Sequence, residues 1–560
     1  MHRCLGILEV LEMILDCLDS DVDRPTDIAA LSRTCRAFFE PALDRIWASQ
    51  RDFANLVKCM PPDAWKLEQL QPYADDSESE DEDEDEEAPS DVYQLSFIRP
   101  LVPADWTRFD LYANHVKLMG EPPLWDQDAK RTKFELHSTV YAAMRLHSTD
   151  TPLLRNVRTV AVYDKDLATP GYTQLLLGPS LESLFVILDR EVITEKRLAV
   201  IPALDRLSVK CPRLDALVAT LGWDDQTSFT RLVGTLKCLT SLCLDIPTSP
   251  SAMKHLMTTL ETLPNLRDLS LHRNLRVGFP HADMKETLSS CNPSLAALKT
   301  FRLVVCEFAT ATVMLSILRS SPIETLLVDL VDCFAAYDLQ KFFTALATNC
   351  CTNMLQNLSI ENHMIFRNNE VFVCSPDVTM KTLRPLFDMQ GLSELMLNIH
   401  LVFTLDSDLS KKLVEAWPCM RSLHMRLDSS GQQSALDCDG LIEVVRLWPS
   451  LEKLGVEMDL SRISPSINRP LGEGPSNERI RKLWVGKTPV HDVAKTAAFF
   501  SDLFPRLESI KTSHREGGRD YRKWKKVIQL HRTFAAVRMQ ERQWASRKTA
   551  GIIAGASGQR

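Results

Sequence analysis

The 560-residue chain lacks several features that would narrow its chemistry. Its 15 cysteines show no CxxC pair, so neither a zinc ribbon nor a dithiol redox centre is indicated. No cysteine–histidine spacing of the zinc or RING type occurs, and HExxH and GxSxG are both missing. No apolar run approaches the ~18 residues that a membrane-spanning helix needs. At the start, Glu9, Glu12 and Asp16 break what a secretory leader would keep apolar. These absences predict no catalytic residues, no cofactor, no metal and no membrane span, with free, mostly buried thiols in the cytoplasm or nucleus. One imitation needs dismissing. VGKT at 485–488 resembles the end of a phosphate loop, but Arg481 stands where that loop needs its first glycine and Pro489 follows at once, so a strand and a turn are expected.

What is present is the composition of a globular protein, 45% apolar and 25% charged, in a chain long enough for a few modules or one array. Charge is polarised. DDSESEDEDEDEE at 75–87 holds eleven acidic groups, and removing them turns the formal net charge of -9 into +2. From residue 511 onward, thirteen Lys or Arg face three Asp or Glu. The acidic run cannot bury enough apolar surface to fold, so residues 75–90 read as a disordered insertion, either a plain solvated spacer or a binding element. Ser77 and Ser79 precede acidic residues in the manner of casein kinase II sites, and phosphorylation there would strengthen the field.

Residues 1–50 predict three helices. GILEVLEMILDCL at 6–18 is polar only at Glu9, Glu12 and Asp16, so it must be covered on more than one side. A second helix is expected from Ile28, carrying Leu31 and Cys35, and a third from Pro41, with Leu43, Ile46 and Trp47 on one face. A unit this small rarely covers its own apolar surface, so it docks either on the rest of the chain or on a second protein. The series Leu5, Ile7, Glu9, Val10, Leu11, Ile14, Leu18, then Asp27-Ile28, Leu31, Thr34-Cys35-Arg36, Phe38 and Trp47 resembles an F-box. The resemblance implies binding to a Skp-type adaptor and through it to a cullin ubiquitin ligase, by Leu8, Val10, Leu11, Ile14, Leu31, Cys35, Phe38 and Trp47. The family usually has Leu-Pro where Ile7-Leu8 stands; this loses a preset φ but keeps the apolar area.

Beyond it, one fragment recurs: PSLESLFV at 179, PALDRLSV at 202, PNLRDLSL at 264, PCMRSLHM at 418 and PSLEKLGV at 449. With looser copies it marks thirteen units centred on Val160, Leu184, Leu207, Leu242, Leu269, Phe301, Leu326, Leu358, Leu395, Leu423, Leu454, Leu483 and Ile510. They are spaced 23 to 37 apart and average roughly 29, the period of helix-containing leucine-rich repeats. The fold class expected is therefore α/β: a helical bundle, then a leucine-rich-repeat-like solenoid over 151–515, with a parallel sheet on the concave side and helices on the convex side. The turn Asn or Cys falls in register only at Asn274 and Cys306, which predicts an irregular arc. Residues 51–74 read as a helical connector and 91–150, with RPL...DW..F..Y, as the cap of the first repeat; the whole resembles the large F-box families of fungi.

Along the strands, the outward positions include Phe185, Arg302, Leu327, Met396, His424 and Trp484, side chains of the kind enriched where proteins dock. Either they form a substrate-docking face or loops or the tail cover them. The basic tail, 516–560, predicts a helix with Val527, Leu530, Phe534, Val537 and Trp544 on one side. Capping the last repeat is the leading role, with an acidic partner, a membrane surface or nucleic acid as others. The function expected is substrate recognition within a Skp-cullin-F-box type ubiquitin ligase; the alternative is a non-catalytic scaffold without ubiquitin transfer.

Overall fold

The recurring fragments form the strands of a parallel sheet. The computed structural model describes residues 7–19, 25–70, 92–120, 133–148, 152–163, 172–187, 204, 207–220, 227–273, 279–291, 293–319, 321–331, 336–350, 353–362, 380–399, 407–427, 436–463 and 476–557. The predicted acidic insertion, with Ser77 and Ser79, and the turn residue Asn274 lie outside them. The chain divides into two units, residues 1–245 and 246–560.

The first unit opens with α1 (Leu8–Asp19), α2 (Pro25–Ser32) and α3 (Arg36–Ile46). Leu15, Ile28 and Ala42 form their buried centre, with Leu18, Leu31 and Ile46 against it. The third helix departs from expectation. It starts five residues before Pro41 and contains it, while Cys35 sits at its N-cap rather than within α2. Proline at this point removes one amide donor but leaves the first turn intact, since the Phe38 amide donates to the Cys35 carbonyl at 3.2 Å.

Its strands are β1 (Ser49–Gln50), β2 (Trp65–Leu70), β3 (Val92–Phe97), β4 (Leu118–Met119), β5 (Lys133–Leu136), β6 (Thr159–Tyr163), β7 (Ser183–Ile187), β8 (Ala216–Thr220) and β9 (Ser241–Asp245). Among the described residues of the segment expected to be a helical connector, 51–70, there is a five-residue helix, Ala54–Lys58, followed by β2. That strand pairs antiparallel with β3, which pairs parallel with β5. The repeat sheet also begins earlier than residue 151, because β1 and β4 already join the ladder Gln50, Met119, Val160, Leu184, Leu217, Leu242.

Leu207 is not a strand centre. It opens a helical turn, Leu207–Lys210, and Leu217 takes the ladder position. Two overlapping copies of the pattern exist here, PALDRLSV and PRLDALVA, and only the second places both φ-x-φ side chains inward. In the first, Val209 is 77% exposed, whereas Leu217 and Ala219 are each 1% exposed.

The RPL...DW..F..Y segment explains itself in this unit. The Arg99 guanidinium donates to both Asp105 oxygens, at 2.7 and 3.0 Å, and to Asp63 at 2.8 Å, while the Val102 amide also reaches Asp105. Trp106 stacks on His147, Phe109 is buried, and Tyr112 stacks on Trp47 at 4.6 Å. Arg99 and the Val102 amide hold the Asp105 carboxyl down at about 2, below its ordinary 3.8. A depressed folded value means that the stabilisation is complete above pH ~4 and fades as the pH falls toward 2. Acid titration monitored by Trp fluorescence is therefore expected to show a stability loss in that window which Arg99→Gln removes; an identical acid slope in the variant would contradict the assignment.

The second unit holds β10 (Asp268–His272), β11 (Thr300–Val305), β12 (Thr325–Leu330), β13 (Asn357–Asn362), β14 (Glu394–Ile399), β15 (Ser422–Leu427), β16 (Lys453–Val456), β17 (Lys482–Trp484) and β18 (Ser509–Lys511). All pair parallel in chain order. One ladder row runs Leu269, Phe301, Leu326, Leu358, Leu395, Leu423, Leu454, Leu483, Ile510, every member buried. Each such side chain contributes roughly 1.5–3 kcal/mol by leaving water, as do those of the second inward row, Leu271, Leu303, Val328, Ile360, Leu397, Met425 and Val456. Register is locked where strands begin. The Lys299 carbonyl accepts from both the Glu324 and Thr325 amides, the Glu324 carbonyl from Gln356 and Asn357, and the pattern recurs through Arg481 with Glu508 and Ser509.

At the far end, the helix Arg519–Ser557 packs on the helix Val493–Leu503. Trp524, Val527 and His531 face inward, with the Trp524 indole N–H donating to the Thr488 carbonyl at 3.0 Å. The predicted stripe is therefore shifted: Val537 and Trp544 are exposed. Among the described side chains, the hydrogen bonds to the helix Val493–Leu503 end at Arg538, and beyond it Met539 and Trp544 are exposed.

Candidate functional site

Two surfaces stand out. On α1 the side chains divide into three sectors at 100° per residue. Leu11, Leu15 and Leu18 point into the bundle; Glu9, Glu12 and Asp16 form a polar edge, with Asp16 paired to Arg45. The third sector is apolar and faces out: Val10 and Ile14 are half-buried, Cys17 is exposed and Met13 is 58% exposed. Ile7, just before the helix, is also exposed.

The eight residues expected to touch an adaptor are spread over the bundle. Leu11 and Phe38 are buried; Val10, Ile14, Leu31, Cys35 and Trp47 are half-buried; the Leu8 side chain lies outside the described residues. Leu31 leans on the inner cluster and Trp47 on Tyr112. Met13 and Cys17 complete the outer sector and went unread. Their signal was the angular position relative to Val10 and Ile14.

The second surface is the outward side of the second unit's sheet. Register places Arg302, Leu327, Ser359, Met396, His424, Gly455, Trp484 and Lys511 in one row across eight adjacent strands. Five of the six residues expected there thus share one row. Phe185 belongs to the first unit, half-buried in the row Ala161, Phe185, Val218, Cys243. Arg302 is tied down: its Nε donates to Asp329 at 2.7 Å, so it is a paired charge within the sheet.

His424 and Trp484 meet across Gly455, ring centroids 4.7 Å apart. A Cβ on Gly455 would come within 2.5 Å of His424 Nδ1, so this glycine is what lets the ring lie over the strand. Gly486, in the VGKT imitation, adopts φ +54°, and a Cβ there would strike the Glu457 carboxylate and the Trp484 ring. Glu457 is buried and accepts the Lys487 amide at 2.9 Å. The stretch is strand and turn, and no phosphate cradle forms. Sequence reading missed the glycine because its role depends on rings contributed by the strands on either side.

Burial pushes the Cys211 and Cys438 thiols up to about 11, so neither supplies a thiolate at neutral pH. Among the described residues no group of three or more His, Cys, Asp or Glu could hold a metal ion, and no helix is long and apolar enough to cross a membrane.

No family model matches the chain, and no curated protein matches it. Among solved structures it is similar to a chain of the Rad7 and Elc1 complex of yeast, at 13% identity over 64% of this chain and 82% of that one, TM-score 0.34. It is also similar to a chain of the LRIM1/APL1C complex, at 11% identity over 84% of this chain and 77% of that one, TM-score 0.26. At these values the likeness carries no argument about partners or activity; the α/β repeat architecture stands on the strand register itself.

Proposed function

We propose that this chain is the substrate-recognition subunit of a Skp-cullin-F-box type ubiquitin ligase, with α1–α3 holding a Skp-type adaptor and the second unit's sheet face capturing a protein target. The observation that supports it best is the outer sector of α1. A helix whose inner apolar face is already packed gains nothing from a second apolar face in water unless another polypeptide covers it. The F-box resemblance of residues 5–50 says which polypeptide. The chain then needs no catalytic residue, because holding target and ubiquitin-charged enzyme together raises their effective concentration. Its place of work would be the cytoplasm or the nucleus.

Co-expression with a Skp-type adaptor and a cullin tests this. The intact chain should copurify with both. Met13→Glu combined with Ile14→Glu removes two anchors worth roughly 1.5–3 kcal/mol each, so adaptor affinity should fall by about a hundredfold or more. Met13→Glu alone, at an exposed position, keeps the fold and should weaken binding in the same direction. Undiminished adaptor binding in both variants would remove the reading. Adaptor binding without cullin would favour the scaffold alternative.

A further inference from the structure

We infer that the segment captured by the second unit's sheet face is acidic: an extended Asp- and Glu-rich stretch of a partner protein, seated on β15–β18 beside Trp484. This deepens the receptor reading and rests on it for the identity of the docking face.

The carrying observation is a charge arrangement that the fold itself does not explain. Lys453 on β16 stands directly opposite Lys482 on β17, and Lys511 on β18 stands opposite Trp484. Neighbouring strands lie ~4.8 Å apart, so three ammonium-bearing side chains rise from a small area of sheet. Like charges directly opposed on a ladder oppose pairing rather than help it. Lys453 reaches Glu394 at 3.7 Å, with both side chains about half exposed. Lys482 and Lys511 are exposed and make no ion pair among the described residues. Two nearby carboxylates are already engaged, Glu457 buried against the Lys487 amide and Glu508 holding Arg481 at 3.2 Å, while Glu452 is exposed and one residue before Lys453, so it alternates to the other side of the strand. Glu394 offsets Lys453 alone, and lysines left without an offset on paired strands are expected where a surface serves a ligand.

Shape agrees with charge. Gly455 lowers the sheet surface so that the His424 ring can lie across it against Trp484, the two rings tilted by 34° and bordered by lysines. Tryptophan in a partly buried setting is a frequent anchor of protein interfaces. An extended peptide projects alternate side chains to one side, so carboxylates at every second position could meet Lys482 and Lys511 while an apolar residue covers Trp484. The same sheet face carries Glu361 and Glu394 on β13 and β14. They bound the basic area, which suits a short acidic segment better than a continuing phosphate backbone.

The test uses the full chain and fluorescence anisotropy, with a fluorescein-labelled peptide of alternating aspartate and leucine and its asparagine counterpart. The aspartate peptide should bind at least about tenfold more tightly. Combining Lys482→Glu with Lys511→Glu should weaken it by about tenfold or more, since two exposed charge pairs are reversed. The thermal midpoint should hold or rise, because Lys482→Glu turns the opposition with Lys453 into an attraction; a lysine kept for stability would behave in the opposite way. Trp484→Ala should weaken both peptides. Equal binding of the two peptides, or indifference to the double reversal, overturns the inference. So does single-stranded DNA that displaces the peptide with the same lysine dependence, or peptide binding that appears only after residues 75–87 are replaced by Gly-Ser repeats, which would make the chain's own acidic run the occupant. Adaptor binding measured on the same samples separates the two readings: if it persists while the acidic peptide fails, the receptor stands and this inference falls. Peptide binding without adaptor binding gives the reverse.

Discussion

Replacing Trp524 with alanine is expected to destabilise the second unit by about 3–5 kcal/mol, the cost of removing a large aromatic side chain from a packed interior. The residue is buried, stacks on Phe500 at 6.0 Å, and donates its indole N–H to the Thr488 carbonyl. Deleting it removes apolar contact and also leaves that carbonyl without this donor. Around it, Lys523 donates to the Val490 carbonyl at 2.6 Å, His531 contacts the Phe504 carbonyl at 3.0 Å, and Arg538 reaches Ala498 and Ser501. The helix therefore closes the end of the array, where β18 has a neighbour on one side only among the described residues. In a repeat array each unit depends on its neighbours, so the damage should spread inward from the end. Chemical denaturation with hydrogen exchange reads this directly: the amides of β17 and β18 should lose protection first. Unchanged protection of β18 in Trp524→Ala would show that the helix is an appendage and not a cap.

The second large effect separates the two sides of one strand. Phe301 and Arg302 are adjacent on β11, yet Phe301→Ala is expected to cost about 3–5 kcal/mol, whereas Arg302→Ala, which takes one partner from the buried Asp329 carboxylate, should cost about 2 kcal/mol or less. Phe301 is fully buried in the ladder row between Leu269 and Leu326. Arg302 points outward, half exposed, and contributes one ion pair to Asp329. Similar losses for both, measured by urea unfolding, would mean that the strand's alternation is misplaced by one residue, and the outward row with it.

Much of this was legible locally. The φ-x-φ fragments at Leu269, Phe301, Leu326 and Leu358 are apolar on alternate residues, and alternation alone assigns inside and outside on a strand. VGKT was dismissed from Arg481 and Pro489 alone, and Gly486 then appears as a turn residue with positive φ. The outward row from Arg302 to Trp484 was also readable, because equal offsets from each central φ become neighbours once the strands are in register. Lys482 and Lys511 were equally available, at fixed offsets from Leu483 and Ile510, but a lysine on a strand has no meaning until its cross-strand partner is known.

The chain's pattern by itself determined that apolar side chains recur at repeat spacing, which ones face inward, and that α1 is apolar over most of its girth, since all three depend on residues close together along the chain. Tertiary structure decided which of two overlapping copies became β8, where α3 began despite Pro41, that residues after Lys58 turned to strand, and which face of the last helix was buried. It also decided that Gly455 would lie beneath His424 beside Trp484. Those outcomes depend on hydrogen bonds and surfaces supplied by segments tens of residues away, and no local window contains them.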